Sequence, residues 1–391
     1  MSRTTRRFAL FALVLGALPA AAATDLEGEL GVGLGLGYDS NPLRIMDDGS
    51  GGAFSELRFD GRLDLRTSRA LKLFGTLEGQ ARAHGSDVSN ADARDGELRL
   101  GAELAPNPQG HRPLVLAIGG SLGANRATFT DRSTGAPYAV AVGDGTTTAE
   151  IPERFDADTA GAFLDVRWRV QRRTRLWLKT ALERTDFVND YREFPELGSL
   201  DYRGLSLEPG VLVQVNRLAA VGLSALVTDL DYVEQTALDA DGAPVAGTRR
   251  QYRSLDWALS LRIVPQRGMN LRVGLRDGDR EDTFAGFYDY SARGAYCSFD
   301  WAPGPKGKLA LLASLRRVDY SHATVPGTTS GETLGSDTRR LVGRYDWQAP
   351  SGLGFYAEAG LQRSDNQDPL FTYGRNWMLT GIQYRRRSAH D

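Results

Sequence analysis

The sequence predicts an all-β fold, a transmembrane antiparallel up-and-down β-barrel of about sixteen strands. Three observations predict it: an export leader, strict alternation of apolar and polar residues over long runs, and connections that alternate between short and long.

The chain opens MSRTTRRFALFALVLGALPAAAATD. Arg3, Arg6 and Arg7 form a basic start, an apolar run follows, and Ala21, Ala22 and Ala23 supply a small-residue exit. That is a secretory signal, and its apolar run is too short to span a bilayer as a helix. Residues 1–23 are therefore expected to be cleaved, leaving a barrel over 24–386 and a short periplasmic tail at 387–391. The whole chain carries a formal charge of −2; the leader holds three arginines and no acid, so the mature chain carries −5. Such acidity argues against nucleic acid, whose binders concentrate basic charge on one face. A single cysteine, Cys297, excludes an intrachain disulfide.

Period 2 dominates the rest. In SELRFDGRLDLR, Leu57, Phe59, Leu63 and Leu65 share one parity, and Glu56, Arg58, Asp60, Arg62, Asp64 and Arg66 the other. GAFLDVRWRV sets Leu164, Val166 and Trp168 against Phe163, Asp165 and Arg167. SLDWALSLRIV sets Leu255, Trp257, Leu259 and Leu261 against Asp256, Ser260 and Arg262. Many runs reach ten residues, longer than the usual globular strand and long enough to cross a bilayer at a tilt.

Short connections are read at 67–69, 106–113, 171–173, 216–217, 265–268, 303–307 and 348–352. Longer polar ones fall between them at 42–52, 84–95, 128–154, 186–199, 233–249, 277–283, 321–335 and 364–369. Fifteen connections give sixteen strands, with both ends on the periplasmic side. Fourteen or eighteen stay open, because 271–276 is brief and 287–301 has no clear phase. Trp168, Trp177, Trp301 and Trp347 lie near the short turns, and Tyr38, Tyr202, Tyr232, Tyr252, Tyr288, Tyr290 and Tyr320 near the other strand ends. Both sets are expected to form interfacial girdles.

Gly37-Tyr38-Asp39-Ser40-Asn41-Pro42 resembles the first strand end of a group of bacterial outer-membrane barrels. The group includes the barrel domains of surface lipoprotein assembly modifiers and of polysaccharide-export porins. Gly381-Ile382-Gln383-Tyr384-Arg385-Arg386 is similar to the terminal strand read by the barrel-assembly machinery, with Arg386 in place of the last aromatic. The resemblance implies the bacterial outer membrane as location and lipopolysaccharide and that machinery as partners. No periplasmic helical repeats precede the barrel, which lowers a lipoprotein or polymer-secretion role.

In a membrane barrel the polar parity must face the lumen, since Arg or Lys toward lipid at mid-depth costs about 2–4 kcal/mol. Arg58, Asp60, Arg62, Glu78, Arg99, Glu103, Arg167, Lys179, Glu183, Arg262, Arg272, Arg316, Arg340, Arg344 and Glu358 are the candidate pore-lining residues. Basic residues predominate among them, so a porin-like channel for small hydrophilic solutes with an anionic preference is expected. The plainer reading is that these charges pair across neighbouring strands. The longest connection, with Asp131, Asp144, Glu150 and Glu153, is a possible constriction loop, and a surface position is its plainer alternative.

The run GELGVGLGLGYDSNP places Gly31, Gly33, Gly35 and Gly37 on the lumen side of the first strand. Its spacing is not that of a dinucleotide loop. The stripe either leaves pore clearance or seats side chains such as Trp377 and Leu379. Asp239-Ala240-Asp241-Gly242 and the acids from Asp277 to Asp282 lack the distal glutamate of an EF-hand, leaving turn chemistry or loose divalent bridging to lipopolysaccharide. His84 and His322 fall at strand–loop junctions, so a rim hydrolase is the enzymatic alternative. A surface binding or structural protein, or an export-associated barrel with a plugged lumen, is another. Cys297 reads as a small wall residue. No catalytic residue, cofactor or metal is expected.

Overall fold

The computed structural model describes residues 25–44, 51–85, 91–106, 113–126, 139–142, 147–150, 155–188, 199–324, 332–368 and 372–388. Its strands are β1 (Asp25–Asp39), β2 (Gly52–Arg66), β3 (Leu71–His84), β4 (Ala93–Leu104), β5 (Leu114–Asn125), β6 (Ala139–Val142), β7 (Thr147–Glu150), β8 (Ala157–Gln171) and β9 (Thr174–Phe187). They continue as β10 (Tyr202–Gln214), β11 (Ala219–Tyr232), β12 (Gln251–Ile263), β13 (Met269–Asp282), β14 (Tyr290–Trp301), β15 (Gly307–Thr324), β16 (Thr333–Gln348), β17 (Leu353–Asn366) and β18 (Tyr373–Ser388).

Sixteen of these close into one antiparallel barrel, each strand beside its chain neighbour, with β1 paired to β18. The remaining two, β6 and β7, pair only with each other. No α-helix occurs among the described residues. Seven short and eight long connections fall where the sequence places them. Closure satisfies every strand edge within the sheet, which a bilayer demands.

Several strands run past their expected ends, β15 to Thr324 and β16 from Thr333 into the loop expected at 321–335, and β13 most of all. β13 runs to Asp282, so the loop expected at 277–283 becomes 283–289. Its acids are strand residues: Arg276, Gly278 and Arg280 share one face and Asp277, Asp279 and Glu281 the other. At the C-terminal end β18 continues to Ser388, two residues past the expected end.

The cross-strand register carries one parity unbroken around the barrel. Leu30, Leu34, Leu36, Ile118, Leu182, Leu275, Leu315, Met378 and Ile382 all project outward, each more than half exposed. Such an apolar belt suits lipid and not water. Outward charges occur toward the long-loop end, where Arg184–Asp186, Arg317–Asp319 and Arg363–Asp365 pair on single strands. At the short-turn end Trp168 and Trp301 project outward, and Trp347 stacks on Phe355 with centroids 5.4 Å apart. That girdle matches expectation except for Trp177, which points inward and lies against Gly210.

The tyrosine girdle expected at the other end is overturned. Tyr38 alone of the barrel-strand tyrosines named for it faces outward, at 48 % exposed. Tyr202, Tyr232, Tyr252, Tyr290 and Tyr320 carry the inward parity. Tyr252 alternates with Ser254 and Asp256, and that parity belongs to the lumen.

Candidate functional site

All fifteen candidate pore-lining residues lie on the inward parity. Over much of the wall the plainer reading applies, and charges neutralise one another. Glu103 receives Arg167 at 2.7 Å and Lys72 at 3.5 Å. Arg62 binds Asp64 at 2.7 Å, Asp60 meets Arg385 at 3.2 Å, and Lys179 meets Glu208 at 3.0 Å. Arg99 approaches Glu97 at 3.5 Å, and Glu183 accepts from Thr185 at 3.0 Å. The acids Asp64, Glu97 and Glu208 were not among the candidates, although they share the same alternating runs.

One stretch escapes this pairing, and a second escapes it in part. On β12 and β13, Arg262 stands directly opposite Arg272. With Arg276 and Arg316 they make an arginine wall that has no acid within ion-pair distance among the described residues; Arg262 donates to Asn270 Oδ1 at 2.7 Å instead. On β2, β3 and β4, Asp60 stands opposite Glu78, and Glu78 opposite Glu97; Asp60 and Glu97 keep Arg385 and Arg99 as partners, and Glu78 has no ion pair among the described residues. Like charges directly across a strand pair destabilise it. In the barrel order β3 and β13 lie eight strands apart around a ring of sixteen, so the acidic and arginine walls face each other across the lumen.

The glycine stripe is a seat for side chains. An added Cβ at Gly35 would come within 2.6 Å of Tyr356 Oη and 2.8 Å of Leu379 Cδ1, and at Gly37 within 2.5 Å of Phe54. Phe54, Tyr356 and Leu379 form a buried cluster here. Leu379 therefore sits where expected, whereas Trp377 lies instead over Gly360. Above Tyr356 the Arg58 and Arg344 guanidiniums stack at 5.4 and 4.7 Å. Both reach Glu358 at 3.4 Å, so Arg58 on β2 spans β1 and β18 to meet β17. Glu56, its side chain fully buried, completes the network with Arg58 and, at 2.6 Å, Arg82. Side chains without Cβ below them permit this ridge, which narrows the lumen along the closing seam.

At the long-loop end of the seam, fully buried Asp39 receives a fork from Arg375 with contacts from 2.5 to 3.0 Å. Asp39 also accepts the Asn41 amide at 3.1 Å, and Ser40 and Asn376 exchange hydrogen bonds of 2.9 and 2.8 Å. The Asp-Ser-Asn run thus clamps the first strand to the last. Arg44 follows in the left-handed region at φ 60°, a conformation that persists where its surroundings enforce it. Burial, reinforced by Arg375, holds its guanidinium down at about 10.

Other expectations resolve individually. Asp131, Asp144 and Glu153 lie outside the described residues, and Glu150 closes β7 opposite Ala139. Asp239 Oδ1 accepts the amides of Asp241 and Ala243 at 3.0 and 2.8 Å, and Gly242 is at φ 86°, which is turn chemistry. His84 on β3 and His322 on β15 stand six strands apart around the ring, so they form no dyad. His84 packs on Phe54 at 5.3 Å, and His322 contacts the Gly286 carbonyl at 3.1 Å. Cys297 takes the outward parity opposite Val273 and Ala313, a small residue on the apolar face. No group of metal-ligating side chains occurs among the described residues.

No protein-family model and no curated protein matches the chain. Among solved structures the chain is similar to OmpT, an outer membrane protein of Vibrio cholerae. Identity is 12 % over 93 % of this chain and 98 % of that one, in the form lacking loop L8, with a TM-score of 0.46. It is also similar to OccK2 (OpdF) of Pseudomonas aeruginosa, at 13 % identity over 93 % and 98 %, with a TM-score of 0.43. OprD of the same organism gives 12 % over 93 % and 96 %, at 0.44. The sixteen-strand transmembrane barrel itself stands on the strand pairing and the apolar belt of this chain.

Proposed function

We propose that the chain is an outer-membrane, porin-like channel that passes small hydrophilic solutes by diffusion, with a bias toward anions. The export leader and the closed sixteen-strand barrel with its apolar belt support the outer membrane as location, the long loops facing outward and both ends facing the periplasm. Barrels of this size enclose an aqueous lumen and not a packed core. The lipopolysaccharide leaflet surrounds the long-loop end, and the barrel-assembly machinery reads the last strand.

One observation carries the anion bias: Arg262 and Arg272 are held directly opposite, beside Arg276 and Arg316, with no acid in ion-pair range among the described residues. The one acid set among them, Asp256 on the inward face of β12, interacts electrostatically with Arg276 and Arg316 but forms no ion pair, whereas β8 to β10 pair their charges directly. Concentrated positive charge beside a low-dielectric wall raises the local concentration of counter-ions. The acidic wall opposite gives cations a second lane and keeps the bias modest.

The test is conductance of the refolded protein in planar bilayers, with reversal potentials under a salt gradient. Open-channel steps and a reversal potential displaced toward the anion equilibrium value are expected. Absence of steps would overturn the channel, and a cation-displaced potential would overturn the bias alone.

A further inference from the structure

Seven consecutive strands each send one side chain to a common inward arc at the long-loop end. Phe187 of β9, Tyr202 of β10, Tyr232 of β11 and Tyr252 of β12 follow one another with ring centroids 6.3, 5.7 and 5.7 Å apart. Arg280 of β13 then lies between the Tyr252 and Tyr290 rings, 4.3 Å from each centroid. Tyr290 of β14 meets Tyr320 of β15 at 5.4 Å and closes the series. Against the arc lies a cavity of about 240 Å³, roofed by Phe155 and Leu200 from the adjoining loops, which are only 3 % and 6 % exposed.

We propose that this cavity is a binding site for a pyranose-type saccharide, and the claim that such a sugar is also a transported solute rests on the channel reading above. A pyranose has an apolar C–H face, which suits an aromatic ring, and hydroxyls that each need donors and acceptors. The lining offers both. Tyr202, Tyr232 and Tyr290 supply ring faces; Arg280 supplies donors, Glu183 acceptors, and Asn125 and Ser254 both kinds.

One detail favours a ligand over a packed wall. Glu183 accepts from Thr185 at 3.0 Å and from Tyr202 at 3.4 Å, both on Oε1, so its second oxygen takes neither bond. One acid beside one base leaves the lining near neutral, which disfavours a simple anion. The volume displaces on the order of eight waters, room for one sugar ring.

Saturation-transfer NMR on the detergent-refolded barrel, with D-glucose as probe, reads the site without requiring conduction. Glycerol serves as the small-polyol control and inorganic phosphate as the anion control. Saturable transfer to the glucose ring protons, well above that to glycerol, is expected. Ser254→Leu fills the cavity and leaves every arc residue in the chain, and Tyr290→Ala removes a ring face; each should raise the half-saturating glucose concentration about tenfold. Heat-modifiable gel migration verifies that each variant is folded, and Tyr290→Phe, which keeps the ring, should bind nearly as the parent does. Glucose transfer no greater than glycerol's, transfer unchanged in both folded variants, or phosphate displacing glucose from the cavity would overturn the assignment. Conductance separates the two readings. A conducting barrel with no glucose signal loses the site and keeps the channel; glucose binding without conductance keeps the site and loses the channel.

Discussion

Replacing Gly35 by alanine tests whether the glycine stripe is a seat or an opening. A Cβ at Gly35 would meet Tyr356 Oη at 2.6 Å, Leu379 Cδ1 at 2.8 Å and the Thr380 carbonyl oxygen at 3.1 Å. None of these can retreat freely. Tyr356 and Leu379 are 1 % and 3 % exposed, Tyr356 is pinned beneath two guanidiniums, and the third contact is backbone. Overpacking of this kind costs about 1–3 kcal/mol. Gly33 supplies the internal control, because its Cβ would meet Tyr356 Cε1 at 3.4 Å and its other neighbours at 3.6 and 3.7 Å, ordinary contact. There, reduced freedom of the unfolded chain predicts a gain of about 0.4–1 kcal/mol. Urea titration of the barrel refolded into vesicles should therefore lower the midpoint for Gly35→Ala and leave it level or raised for Gly33→Ala, at unchanged slope. If both substitutions spare stability and both reduce single-channel conductance, the stripe is pore clearance and the seating argument is wrong.

Asp39→Ala leaves the Arg375 guanidinium buried without its carboxylate and should cost about 3–5 kcal/mol, read as a lower urea midpoint; an unchanged midpoint would remove the clamp from the account of closure. Arg272→Gln combined with Arg276→Gln should move the reversal potential toward zero, more strongly at 0.1 M than at 1 M salt as screening grows, and no movement at low salt would mean the arginine wall lies outside the ion path. Cys297 has the outward parity, so in vesicles a membrane-soluble maleimide should label it and a charged, water-soluble one should not. Rapid labelling by the charged reagent would place the thiol in the lumen and reverse the parity of β14.

The strand count, the alternation of loops and the parity of the fifteen charged residues were all legible, because period 2 is local and a bilayer allows only one assignment of faces. Tyr252 was misassigned even though its parity was readable: it alternates with Ser254 and Asp256, while Leu255 and Trp257 hold the other face. Position near a strand end does not decide the face, and parity is the physical constraint. The β13 acids have the composition of a loop, and only their spacing at alternate residues, set against the arginines between them, marks a strand. Other features lie beyond any local pattern. Asp39 and Arg375 are 336 positions apart, and Arg58 and Glu358 are 300 apart. Nothing in either neighbourhood announces its partner.

Those distant pairs share a location, and the location has a cause. β1 and β18 are the two strands whose pairing no turn enforces, so side chains must specify it. Register there is held by the Asp39–Arg375 fork at one end and by Arg387 and Arg385 on Glu29 at the other. Between them the bare glycines let β17 and β2 reach over β1 and β18, and Arg58 to Glu358 ties the strands on either side of the seam. A one-residue slip would turn every one of these groups toward lipid. Hence the residues that close the barrel are also inward-facing wall residues, gathered where the chain has to find its own end.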